Sequence, residues 1–118
     1  MPSIVSGIRE RAKEMTLAKV FAMYKAPADA AAFDRYYRDV HVPIAKRIPG
    51  LRAYEVTRGD IGMLGGRSPY HLIAVLTFDS VAAVQAALTS PEGQATAADI
   101  GNFATGGVEI MFAETGAI

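Results

Sequence analysis

Residues 33–56 read FDRYYRDVHVPIAKRIPGLRAYEV, a segment that passes from helix to strand and frames the rest of the chain. Phe33, Tyr37, Val40, Ile44 and Ile48 recur at helical spacing, which predicts one buried stripe. Pro43 falls inside that stripe. It removes a backbone donor, so the regular helix is expected to kink or end near Val42. Pro49-Gly50 closes the segment, and residues 51–58, LRAYEVTR, alternate well enough for a strand.

Upstream, residues 17–25 (LAKVFAMYK) form a short apolar run bounded by Ala26-Pro27 and read as a buried strand. Asp29 suits the N-cap of the helix, because a carboxylate there accepts the unpaired amides of the first turn. Downstream, the glycine-rich residues 59–69 (GDIGMLGGRSP) make a long hairpin connection, either a lid or a plain loop. Residues 70–78 (YHLIAVLTF) are the most apolar strand. Asp79-Ser80 then caps a helix with Val81, Val84 and Leu88 on one side, ending near Ser90-Pro91. A further short helix from Pro91 is expected to reach roughly to Phe103, and residues 108–114 form the last strand.

The order strand–helix–strand–strand–helix–strand predicts an α+β domain: a four-stranded antiparallel sheet with both helices on one face. The third strand is apolar on both faces, Leu72, Ala74 and Leu76 on one and Ile73 and Val75 on the other. Helices cover only one side, so a homodimer through the open sheet face is expected.

A chain of 118 residues holds one such domain, read here as residues 17–118. Residues 1–16 stand apart as an N-terminal extension. Ser3 to Glu14 suit a short surface helix, or Met15 is the natural start. Twelve basic residues balance twelve acidic ones, so no long-range field draws the chain to nucleic acid or an anionic membrane. No stretch approaches the ~20 apolar residues that span a bilayer, and the N-terminus lacks the charge order of a secretory signal. A cytoplasmic location is the expectation. Cysteine is absent, which removes thiolate catalysis and sulfur-based zinc sites.

The segment 33–56, with its Tyr-Tyr pair running into His-x-Pro and then Pro-Gly-Leu, resembles the most distinctive part of the EthD family. Residues 68–103, SPYHLIAVLTFDSVAAVQAALTSPEGQATAADIGNF, are similar to that family's third strand, aromatic-Asp-Ser turn and Ser-Pro-Glu-Gly helix. The resemblance covers about residues 17–114. It implies a ferredoxin-like subunit, a dimeric α/β barrel, and a place in catabolism of small molecules such as ethyl tert-butyl ether. The wider superfamily includes cyclases, cofactor-free monooxygenases, isomerases and haem-binding enzymes, so the fold does not name the reaction.

His41 is the leading candidate for chemistry. A regular helix places it at the edge of the apolar stripe, where its imidazole either exchanges protons with a ligand or buttresses the kinked helix end. Tyr37, one turn earlier, is a core aromatic or a partner for His41 or a ligand. Small residues under the helix, notably Ala74, leave room for a small apolar, oxygenated ligand beside the hydroxyl of Tyr24, with Phe103 closing the far end. Asp34 and Arg38 are expected to form a surface ion pair. His71 is expected to point toward the dimer interior or solvent. The chain has two histidines, thirty residues apart and without clustered carboxylates, so no metal site is expected. No cofactor is assigned, with haem held by a single His as the alternative. The expected function is an isomerase, dehydratase or cyclase using His41 as acid or base, or else a non-catalytic binding protein of an oxidative pathway.

Overall fold

The computed structural model describes residues 16–118; the expected helix at Ser3 to Glu14 lies outside them. Strand β1 (Leu17–Lys25) leads into helix α1 (Ala30–Tyr36), a π turn (Tyr37–His41) and the short α2 (Val42–Ala45). Strands β2 (Ala53–Val56) and β3 (Tyr70–Phe78), helices α3 (Val81–Thr89) and α4 (Pro91–Ile100), and strand β4 (Val108–Thr115) follow. All pairings are antiparallel, and the sheet order is β2-β3-β1-β4, the ferredoxin-like arrangement.

Local chemistry places these boundaries. The Asp29 carboxylate accepts the amide of Ala32, and Ser80 accepts that of Ala83, as expected of N-caps. Ser90 ends α3 and starts α4: its hydroxyl donates to the Ala87 carbonyl and accepts from the Gly93 amide. At Gly93 any Cβ would lie 2.0 Å from the Ala87 oxygen, so this corner closes only over glycine.

The core is single-sided. Ala18, Val20, Ala22 and Tyr24 of β1 and Leu72, Ala74, Leu76 and Phe78 of β3 are buried beneath Phe33, Tyr37, Val84, Ala87 and Phe103. Each large side chain among them contributes on the order of 1.5–3 kcal/mol of apolar burial. The other sheet face keeps Phe21, Met23, Ile73 and Val75 only half covered.

Three expectations are refined or corrected. First, the regular helix is disturbed just before Val42, as Pro43 predicts, but by a π turn and not by an end: the chain stays helical to Ala45 with Pro43 in the first turn of α2. A π turn just before the proline absorbs the disruption, with the Val42 amide bonding the Tyr37 carbonyl, five residues back. That wider turn keeps i, i+4 neighbours aligned, so Phe33, Tyr37, His41 and Ala45 form the buried row. Val40 is displaced to the surface, and His41 moves from the stripe's edge into it. Second, the Asp34–Arg38 pair does not form: Arg38 pairs with Asp39, and Asp34 accepts from His71 Nε2 at 2.7 Å. Third, His71 does not face the open side. The β1–β3 register slips between Tyr24 and Lys25, whose partners are Leu72 and Tyr70. The extra residue turns toward α1, where its ring meets Phe33 edge-on at 5.0 Å.

Candidate functional site

The π turn delivers His41 into the layer between helices and sheet, where it is only 3 % exposed. Its Nδ1 lies 2.9 Å from Oδ2 of Asp99 on α4, a residue 8 % exposed. The other Asp99 oxygen accepts from the Tyr36 hydroxyl at 2.6 Å and from the Asn102 amide at 3.0 Å. A carboxylate loaded in this way is an acceptor only, so the proton sits on His41 Nδ1 and the lone pair on Nε2. Phe103 packs against the imidazole with ring centroids 4.7 Å apart and planes inclined by 56°.

Among the described residues no fully occluded side-chain nitrogen or oxygen lacks a partner. His41 Nε2 and the Tyr24 hydroxyl have no hydrogen-bond partner among the described residues, so each must reach an open surface. That surface is a cavity of about 70 Å³ between sheet and helices, bordered by Tyr24, Tyr37, His41, Tyr54 and Ala74. Val20, Ala22 and Leu76 form its floor, and Leu88 and Ile110 stand at its mouth. The Tyr37 and Tyr54 hydroxyls bond each other at 2.5 Å and fix one wall. A larger, solvent-open groove of about 990 Å³ runs under residues 57–69 against Tyr37, Arg38 and His71. It exceeds the cavity in size, but the free imidazole nitrogen does not open on it, so the cavity is the candidate site.

The electrostatics follow from burial. Desolvation lowers the His41 imidazole below its ordinary 6.5, although the Asp99 hydrogen bond and charge work against it. Burial pushes the Asp99 carboxyl up, but bonds from Tyr36, Asn102 and His41 outweigh that and hold it below its usual range. Burial raises the Tyr24 and Tyr37 phenols well above the ordinary tyrosine range, so both remain proton donors. The site at neutral pH is therefore a neutral imidazole base, an ionised carboxylate behind it and neutral phenols.

The depressed His41 value has a consequence for stability. The unfolded chain takes up a proton at His41 near pH 6.5, while the folded chain resists until lower pH. In that window the unfolded state binds more protons, so stability falls as pH drops. Asp99 acts in the same sense at still lower pH, because its folded value also lies below its unfolded one. Urea denaturation between about pH 8 and pH 5 is expected to show this decline, and His41→Gln to flatten the part near pH 6.

Of the residues singled out from sequence, Tyr24, Tyr37, His41 and Ala74 border the cavity. Phe103 does not close its far end; it packs behind the imidazole. Asp99, Tyr36, Asn102 and Tyr54 escaped the sequence reading. One signal was present for Asp99: it repeats Gly93 and Thr96 at three-residue spacing, a charged residue on the buried face of an alanine-rich helix. The described residues contain no group of His, Asp or Glu suited to a metal. Haem does not fit beside His41, because a space of about 70 Å³ is far too small for a porphyrin.

Comparisons with known proteins converge on one family. The family model described as EthD domain matches residues 25–107. An uncharacterized 11.0 kDa protein of the thcB–thcC intergenic region of Rhodococcus erythropolis is 41 % identical over 97 residues, covering 81 % of this chain and 92 % of that protein. The crystal structure of an ethyl tert-butyl ether d (EthD) family protein from Bacillus halodurans C-125 superposes with a TM-score of 0.76 at 34 % identity, over 84 % of this chain and 98 % of that one. A dimeric ferredoxin-like protein of unknown function from Thermobifida fusca YX shares the fold, with a TM-score of 0.60 at 16 % identity over 86 % and 92 % of the two chains. No helix among the described residues is long and apolar enough to cross a membrane.

Proposed function

The chain belongs to the EthD domain family, and from that premise we propose that it is a catabolic protein that binds a small, apolar, oxygenated molecule in the His41 cavity and moves a proton on it. One observation carries the reading: His41 Nδ1 lies 2.9 Å from the Asp99 carboxylate, and His41 and Tyr24 border the same apolar cavity, which supports a proton on Nδ1 and a free Nε2 toward the ligand.

In the proposed step the substrate carbonyl oxygen accepts a hydrogen bond from the Tyr24 hydroxyl. His41 Nε2 takes the proton from the carbon next to that carbonyl, and the C–H electron pair flows into the oxygen as an enolate. Returning the proton to a different atom completes an isomerisation, with no oxidant or reductant consumed. A base held near its working pH contributes typically 10²–10⁴-fold, and apolar walls strengthen the phenol's hydrogen bond to the developing charge.

The half-covered face of Phe21, Met23, Ile73 and Val75 supports a homodimer through that face, which gives the apolar surface a covering. A closed dimer also adds burial to a small chain. A cytoplasmic setting fits this reading.

The test needs no knowledge of the natural substrate. The protein is incubated in D₂O with acetone, the ketone small enough for the cavity, and loss of the protons next to the carbonyl is followed by NMR. Faster exchange with the wild type and background exchange with His41→Gln are the expected results. Ketone binding without exchange would overturn the catalytic step and leave a binding protein.

A further inference from the structure

Strand β4 is an edge left uncovered on both faces. It pairs with β1 alone, and Ile110, Met111 and Phe112 stay between 44 and 54 % exposed. Edge strands are normally blunted by proline, lysine or a bulge. The sequence of β4, VEIMFAET, carries no proline or lysine, and its register with β1 is unbroken from end to end. The 57–69 connection presents the complementary feature. Met63 is 54 % exposed and Leu64 fully so, on a loop that also carries Arg58, Asp60 and Arg67. Neither arginine has an ion-pair partner among the described residues, and β4 carries no basic residue; its Glu109 is already held by Lys25 and Tyr70, while Glu114 lies toward the other end of the strand.

Topology brings the two features together. With the order β2-β3-β1-β4, a two-fold axis that runs along the strands and lays two open sheet faces together sets the β2 edge of one copy beside the β4 edge of the other. β2 runs antiparallel to β4, so the loop leaving β2 arrives at the Val108–Ile110 end of the partner's strand. Ile110 stands at the mouth of the His41 cavity.

We propose that the 57–69 connection is an arm that wraps round the β4 edge of a second copy, Met63 and Leu64 covering Ile110 and Phe112 on its helix side, so that each cavity is closed by its partner. Arg58 and Arg67 meet a strand with no basic residue to repel them, and the apolar tip supplies the wall that the single chain lacks. The site is then complete only in the dimer. This inference rests on the open-face dimer proposed above.

The chain has no cysteine, so cross-linking reads the contact cleanly. A Leu64→Cys/Ile110→Cys double variant treated with a short bismaleimide is expected to give a covalent dimer, with either single variant staying uncoupled. Leu64→Asp, at a fully exposed site that leaves the monomer fold intact, is expected to weaken dimerisation at least about tenfold in sedimentation. It should also slow ketone exchange at concentrations where the wild type is dimeric. A dimer that gives no cross-link and ignores Leu64→Asp would overturn the arm while sparing the open-face dimer. A wild type that stays monomeric would remove the dimer itself.

Discussion

Asp99→Ala is expected to lower folding stability by about 3 kcal/mol, read as a drop in the urea midpoint at unchanged slope. The magnitude comes from what is left behind. Tyr36 and Asn102 are open enough to find water when their acceptor disappears, but the Nδ1–H of His41 is not. A buried donor without an acceptor costs on the order of 1–3 kcal/mol, and losing the charged partner and its packing adds to that. Asp99→Asn separates shape from charge. It retains an oxygen for the imidazole, so its cost is expected to be about half as large. Because the Asp99 charge holds the His41 value up against burial, the imidazole should titrate at still lower pH in that variant. An Asp99→Ala protein as stable as the wild type would show that the buried bond to His41 does not form.

His41→Gln is expected to reduce proton exchange or turnover by roughly 10²–10⁴-fold while the fold survives. Glutamine fills much of the imidazole's volume and keeps an N–H for Asp99, so its thermal midpoint should shift by only a few degrees. It has no basic nitrogen to offer the cavity. The effect belongs in kcat, because the apolar walls that bind the ligand remain. In the wild type the rate should fall on the acid side below pH 6.5 as Nε2 becomes protonated, following the depressed His41 value. The acid limb is expected to vanish with the activity in His41→Gln. A variant with full turnover would remove His41 from the chemistry.

Strands and caps were legible because they are local. YHLIAVLTF spells out its strand without reference to the rest of the chain, and Asp29 and Ser80 announce helix starts within four residues of themselves. The centre of the site was not local. A regular 3.6-residue period puts Val40 in the stripe and His41 at its edge, and the π turn reverses them. Pro43 signalled a disturbance but not its form, because an underwound turn and a break satisfy its missing donor equally well. Asp99 lies 58 residues from His41, and only the packing of α4 against the π turn joins them. Pairwise charge reasoning failed for a similar cause. Asp34 and Arg38 have the right spacing for each other, yet a one-residue slip at His71 supplied Asp34 with a better-placed partner.

The central claim is the protonation state of one ring. Long-range ¹H–¹⁵N NMR of the labelled protein reports both nitrogens of His41 through a pH titration. The expected result at pH 7 is a neutral imidazole with the proton on Nδ1, a bare Nε2, and a midpoint below 6.5. A proton on Nε2, or an imidazolium at pH 7, would contradict the account, because no base would then face the cavity.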